Sequence, residues 1–263
     1  LGPVEIPTIV TSYSEYQNRF GSTFVSGGQV YSHLTAVSAY NYFQNGGNTL
    51  LVTRVVTGSF TSAESRIDGD SSTSFKLKTI SEGTIMNSGG GVEGNDGDLP
   101  NGTDNNVRWE VSFSDTGSGT FNLLIRQGND LTNDKSVLET YAGVSLDPFQ
   151  DNYVAKVIGD SSQQLLSDSD GNKYLQVTGS YPNKSNYVYV SEVLQPTPNF
   201  FNNTGSAASV AYEESIPVVA SGSFLQGLGE LTGSEQALFN ELIDTNTQGL
   251  RAEDYSDAFS LLT

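Results

Sequence analysis

Cysteine is absent from all 263 residues, which removes disulfides, thiolate metal sites and cysteine nucleophiles together. Such a chain fits a reducing compartment, or an assembly built in one. The single histidine, His33, leaves no second imidazole for a zinc site of ordinary composition. It also lacks the orienting partner that acid–base catalysis requires, and it reads as a surface or interface residue. Bases are scarce: 12 Lys and Arg stand against 30 Asp and Glu, a formal charge of −18. Duplex nucleic acid and anionic bilayers are therefore repelled over most of the surface. No run approaches the ~18 consecutive apolar residues of a membrane helix, and the opening Leu1-Gly2-Pro3 is not a basic-then-apolar signal. Neither nucleic acid nor membrane insertion is expected, and the missing initiator Met leads to the expectation of a piece trimmed from something longer.

Familiar chemical motifs are missing too. The chain holds no G-x-x-x-x-G-K-[ST], no H-E-x-x-H and no G-x-S-x-G. Asp168-Ser169-Asp170-Gly171-Asn172 resembles a calcium loop but continues into Lys173 where glycine is required, and Asp96-Gly97-Asp98 fails at Pro100. Both read as hairpin turns. Gly227-Leu228-Gly229 suggests a dinucleotide turn, yet Gly233 arrives one residue late and no acidic residue on a following strand completes the fingerprint. The expectation is no catalytic, cofactor-binding or metal residue, no cofactor, and no enzyme activity.

What remains is a strand-and-turn composition: 28 glycines, 36% apolar and only 16% charged residues. Residues 1–57 have mixed character. "VEIPTIVTS" reads as a rim strand containing Pro7, and "YSEYQNRFG" as a short helix capped by Ser14 and stopped by Gly21. Val30, Leu34, Val37 and Tyr40 or Asn41 recur at helical spacing from Gln29 to Gln44, before an Asn45-Gly46-Gly47 stop. "TLLVTRVV", Thr49 to Val56, is too continuously apolar for a one-sided strand and predicts burial on both faces.

Residues 58–210 then read as a β-rich region, with strands at "SFKLKTI", "NVRWEVSFS", "TFNLLIRQ", "NYVAKVIG", "KYLQVTG" and "NYVYVSEVL". The stretch 87–106, dense in Gly, Asn and Asp, predicts a mobile loop. Mixed character returns in 211–263. "SIPVVA" reads as a buried strand. Thr232 and Glu235 stand at capping-box spacing before Leu238, Phe239, Leu242 and Ile243, and "AEDYSDAFSLL" supplies a last helix. The expected fold class is α+β: a discontinuous mixed α/β scaffold domain, 1–57 with 211–263, interrupted by an inserted β-rich domain, 58–210.

The ordered set "GPVEIPTIVTS", "EYQNRFG" and "AVSAYNYFQNGGNTLLVTRVV" resembles the tail sheath proteins of contractile bacteriophages. "LETYAGVSLDPFQDNYVAKVIGD" (138–160) is similar to that family's acidic-aromatic motif, "YPNKSNYVYV" (181–190) to sheaths of the large T-even myovirus type, and "LTGSEQALFNELI…YSDAFSLL" to the family's return into its α/β domain. The family's amino-terminal arm and large carboxy-terminal domain are not in this chain. The resemblance implies a structural subunit, stacked as hexameric rings in a helical polymer around a tail tube and contracting to drive that tube through the host envelope. It implies a place in the virion after assembly in the bacterial cytoplasm, with the inserted domain on the outside of the tail. Other sheath subunits and the tube are the implied partners of the full-length protein. Without the arms that exchange strands, residues 1–263 alone are expected to be monomeric. The alternative is a carbohydrate-binding or adhesin-type surface module, for which Tyr187, Tyr189 and Trp109 are the candidate stacking residues; an acid-pair glycosidase is a third reading.

Overall fold

The computed structural model describes residues 1–26, 29–32, 34–56, 58–91 and 93–229. Its secondary structure mixes helices with a larger share of strands, so the α+β class holds. Residues 58–229 build two antiparallel sheets around one hydrophobic core. Strand β5 (Ser62–Asp68) and β6 (Thr73–Glu82) form a hairpin, and β12 (Val188–Val193) adds to the far edge of β6. The second sheet runs β13-β7-β8-β9, made of Ala220–Ser223, Val107–Asp115, Thr120–Gln127 and Val137–Ser145.

The period-2 alternation explains the packing. Val107, Trp109 and Val111 point inward from β7, as do Phe121, Leu123 and Ile125 from β8, while Phe75 and Leu77 answer them from β6. The Phe75 and Phe121 rings meet at 5.7 Å between centroids. One hairpin, β10 (Ser162–Ser167) with β11 (Lys173–Thr178), stands apart and pairs only with itself.

The outer face of the β7–β8 pair is held by charge. Arg108 and Arg126 are register partners on neighbouring strands, and both side chains are buried. Like charges opposite one another destabilise a sheet unless they are neutralised. Asp130 takes a bidentate fork from Arg126 at 2.7 and 2.8 Å, and Glu110 accepts from the same guanidinium at 2.8 Å. Arg108 donates to Glu93 at 2.6 Å and to the Gly97 carbonyl.

These bonds draw the 93–106 and 128–136 loops over the sheet. Asn106 completes the work by donating to the carbonyls of Ile85, Asn87 and Asn101 and accepting from the Thr103 N–H. The stretch 87–106, expected to be mobile, is therefore held at Asn87, Glu93, Gly97, Asn101, Thr103 and Asn106. Arg108 and Asn106 supply those partners, which composition alone does not reveal.

Residues 1–56 form a smaller unit. Strands β1 (Thr8–Val10) and β4 (Leu50–Val52) pair antiparallel, with helices α1 (Tyr13–Phe20) and α2 (Leu34–Gln44) on one side. The β2 (Thr23–Ser26) and β3 (Gln29–Ser32) hairpin lies between the helices in sequence. The unit's core is Val10, Tyr16, Phe20, Ala36 and Ala39.

Four expectations are corrected here. The cap of α1 is Ser12, whose hydroxyl accepts from the Glu15 N–H at 3.1 Å, rather than Ser14. The helix expected from Gln29 begins at Leu34, because Gln29–Ser32 is taken into a hairpin. "NYVAKVIG" is not a strand but carries the short helix α3 (Val154–Ile158), which buries Val154, Ala155 and Ile158. "SIPVVA" buries Ile216 yet leaves Val218 and Val219 exposed, the strand being Ala220–Ser223.

The described part of the expected second scaffold half also lies with the sandwich. Helix α4 (Val210–Ser215) packs on the β5–β6 turn through Asp70 N–H to Glu214 O at 2.9 Å, and β13 closes the four-stranded sheet. Residues 230–263, with both expected carboxy-terminal helices, lie outside the described residues, as does His33.

Two substitutions test this picture. Arg126→Met strands Asp130 and Glu110 and should cost about 3–5 kcal/mol, whereas Lys135→Ala, at the network's solvent edge, should cost under about 1 kcal/mol. Urea unfolding followed by the emission of Trp109 separates the two. In the small unit, Gly46 has φ of 91° with open space around its Cβ position. Gly46→Val should therefore lose about 1–2 kcal/mol from backbone strain alone, and an unchanged melting temperature would refute the left-handed stop.

Candidate functional site

Acidic residues are the first place to look for chemistry in this chain, and the structure commits them to architecture. Asp168 accepts from the Asp170 and Asn172 N–H groups at 2.9 and 2.8 Å, closing the β10–β11 turn with Gly171 at φ of 85°. The Asn172 side-chain amide, donating at 3.0 Å, and then these N–H groups hold its carboxyl below the usual range. Asp96-Gly97-Asp98 belongs to a turn in which Gly94 N–H donates to Asp98 O at 2.9 Å, and the Gly97 carbonyl faces Arg108. Among the described residues no group of three or more His, Cys, Asp or Glu converges on a point that suits a metal.

The glycines of Gly227-Leu228-Gly229 serve close approach. A Cβ on Gly227 would meet the Gly83 carbonyl at 2.6 Å, and one on Gly229 would meet the Phe60 ring at the same distance. The segment bonds back to Thr61 through Leu228 O. Gly233 lies outside the described residues.

The acidic-aromatic stretch 138–160 forms a lock rather than a pocket. Glu139 accepts from Ser185 Oγ, Tyr141 OH and the Asn186 N–H. Asp147 is buried, accepting from the N–H groups of Phe149 at 3.0 Å and Phe200 at 3.2 Å. Asp160 accepts from Ser180 and Tyr181 N–H at 2.8 and 2.6 Å. Gly159 sits at φ of 110° against the Asn183 backbone, with no room for a side chain. Glu139 and Asp160 thus fasten the 180–187 segment, and Asp147 the Phe200 backbone, to this part of the sandwich.

The aromatic candidates part company. Trp109 is a core residue whose Nε1–H donates to Ser65 Oγ at 2.6 Å, so it offers no ring to a ligand. Tyr187 and Tyr189 are half-buried, and burial pushes the Tyr187 phenol up. Tyr189 lines a cleft of about 380 Å³ between the small unit and the sandwich, with Arg19, Glu82 and Asn183 among its walls. Of its wall hydroxyls, Ser185 donates to the Glu139 carboxylate at 2.6 Å and is buried.

The junction beside it is a compact polar joint. Arg54 donates to the carbonyls of Gly2 and Glu82 at 2.7 and 2.9 Å and lies over the Phe60 ring at 5.1 Å. The Glu82 carboxylate accepts from the Val4 N–H at 3.2 Å.

Two apolar surfaces have no counterpart in the described chain. The outward side of α2 shows Leu34 (84% exposed) and Val37, while Tyr40 is packed edge-on against Tyr13 at 5.1 Å between ring centroids. Ala36 and Ala39 face inward instead. The outer face of β1–β4 shows Ile9 and Leu51, register partners that stand side by side. "TLLVTRVV" is accordingly not an internal strand: Leu50–Val52 pairs with β1 alone, Arg54 adds a single bridge to Val4, and Leu51 is exposed. The expected burial on both faces is thereby corrected.

Comparison with family models, curated proteins and solved structures finds no match to this chain. Among the described residues no helix is long and apolar enough to cross a membrane.

A pH dependence follows from the joint. Burial raises the Glu82 carboxyl above its ordinary range, against the opposing pull of the Val4 N–H and Arg54. The folded chain then holds this proton more tightly than the unfolded chain, so its contribution weakens stability as pH rises from about 4.5 toward 7. Glu82→Gln should flatten that fall in urea midpoints; equal slopes in parent and variant would refute it.

Proposed function

We propose that this chain is a structural subunit of a contractile phage tail sheath, working through subunit contacts and not through chemistry. The observation that carries the reading is the apolar stripe of α2. Leu34 and Val37 stand one turn apart on a helix face and point to solvent, with the Tyr40 ring, packed edge-on against Tyr13, at its border, and such an apolar face on a packed helix marks a surface made to meet protein. The motif residues at 138–160 agree with it, since Glu139, Asp147 and Asp160 bond to the protein's own backbone and hydroxyls.

In this reading sheath subunits stack as hexameric rings around a tail tube and polymerise helically. The sandwich lies outside, where its acidic, loop-rich surface adds solubility at high local density. Contraction exchanges one set of subunit contacts for another, and the energy released comes from the less stable extended packing. Partners are other sheath subunits and the tube, in a virion assembled in bacterial cytoplasm. The carbohydrate-binding alternative is weakened by the burial of Trp109.

Negative-stain electron microscopy of a longer product carrying amino-terminal arm and carboxy-terminal domain should show hollow tubes with a stacked-ring repeat. Residues 1–263 alone should sediment as a monomer. Dispersed particles from the longer product at high concentration would overturn the sheath reading.

A further inference from the structure

Two Asn-Gly pairs stand in the chain, Asn45-Gly46 and Asn101-Gly102. Such a pair can consume its own side-chain amide: the deprotonated Gly nitrogen attacks the Asn Cγ, and glycine has no Cβ to obstruct the approach. The attack requires the Asn ψ angle to turn. That turn swings the Asn carbonyl oxygen and the Gly nitrogen together, because both belong to one planar peptide. What holds those two atoms therefore decides which pair reacts.

Exposure does not separate the two, since both asparagines are exposed. Their carbonyls do. That of Asn101 accepts from Asn106 Nδ2 at 2.8 Å, and Asn106 is 2% exposed and fixed by further bonds to Ile85, Asn87 and Thr103. Gly102 is wedged as well: its N–H donates to Leu99 O at 3.0 Å, and a Cβ on it would run into the Gly128 carbonyl. Turning the Asn101 peptide means lifting the loop that Asn106 ties to the sandwich.

The Asn45 peptide is held by much less. Helix α2 ends at Gln44, and among the described residues nothing donates to the Asn45 carbonyl. Gly46 has open space around its Cβ position, and its N–H makes one bond, to Phe43 O at 3.2 Å. The Asn45 side chain is tied only by Nδ2, which donates to Asn41 O at 2.7 Å on the exposed end of the helix. The anchors lie beyond the pair: Gly47 N–H donates to Tyr42 O at 3.0 Å, and Tyr42 OH to Thr49 O at 2.7 Å. One peptide can thus turn while the chain on either side stays in place.

We infer that Asn45 is a self-modification site, converted by its own Gly46 nitrogen and water to aspartate and isoaspartate, while Asn106 protects Asn101. In the first step the Gly46 nitrogen bonds to Cγ and the Cγ–Nδ2 bond breaks. The amide leaves as ammonia, taking up the proton that the Gly46 nitrogen gave away. Water then opens the cyclic imide at one carbonyl or the other, leaving residue 45 as an ordinary or a β-linked aspartate.

The product changes the surface on which α2 sits. Residues 20–53 contain no Asp, Glu, Lys or Arg, so the reaction places the first formal charge in that stretch. It is negative and lies at a helix C-terminus, where the macrodipole disfavours an anion. The inference stands apart from the sheath reading, because the chemistry needs only this chain and water.

The test follows both asparagines in the full 263-residue chain, incubated in mildly alkaline buffer with and without urea. Peptide mapping by mass spectrometry, with fragmentation that tells isoaspartate from aspartate, gives each native rate relative to the same residue in urea. The relative rate of Asn45 should exceed that of Asn101 by about tenfold or more, the factor by which one net hydrogen bond shifts an opening equilibrium. Conversion at Asn45 should also speed up as pH rises, since the attacking nitrogen must lose its proton. Asn106→Ala, with Trp109 emission reporting a folded sandwich, should bring Asn101 up toward Asn45. Equal relative rates in the parent chain would overturn the proposal. So would a native Asn45 that stays intact while the urea-unfolded one converts.

Discussion

Two like charges side by side on neighbouring strands set the terms for this structure. Arg108 and Arg126 face each other across β7 and β8 with no water to screen them, and a sheet cannot hold that pair unless carboxylates reach both. Glu93, Glu110 and Asp130 do so, and Lys135 balances the count by bonding to Glu110 at 2.8 Å. Because Glu93 and Asp130 come from loops, satisfying the arginines folds those loops down. A long polar segment thereby becomes a lid over the part of the outer face that carries Arg108 and Arg126. Arg108 Nε is left without a partner, which makes the network a means of fixing one loop arrangement more than a source of net stability.

The same use of acids recurs through the loops. Asp115, Asp147, Asp160 and Asp168 each accept from two backbone N–H groups close to a turn or a loop crossing. A strand-rich chain with long connections has many backbone donors outside any ladder, and buried donors must be paired. Four of the acids therefore serve to order irregular backbone without helices. This use also helps explain how the chain can hold 30 acids while the described ones gather into no metal or catalytic cluster.

Much of the sandwich was legible in the sequence. Alternation placed "VRWEVSF" and "FNLLIR" with the correct residues inward, since a strand with one apolar face has only one way to sit. The β5 strand, Ser62–Asp68, escaped because "SAESRID" presents only Ala63 and Ile67 to the core. "NYVAKVIG" misled in the opposite sense: its β-branched residues suggest a strand, but Val154, Ala155 and Ile158 fall on one helical face and the neighbouring Asp147 and Gly159 fix the turn. The ordering of 93–106 was invisible because its partners, Arg108 and Asn106, carry no local signal. The absence of reactive motifs was readable, and the geometry gives most of the look-alike turns structural work.

The hardest misreading was the small unit, and its cause is physical. Apolar spacing on α2 and in "TLLVTRVV" says which residues avoid water, not which molecule or segment shelters them. Ala36 and Ala39 join Val10, Tyr16 and Phe20 in the unit's core, with Phe43 packed against it, while Leu34 and Val37 turn outward. A helix with apolar residues on both its inner and outer sides carries more apolar surface than its own described fold covers. Under the proposed sheath function that surplus serves subunit contacts: the sandwich completes its own core, while the unit at the amino end keeps Leu34 and Val37 for contacts beyond it.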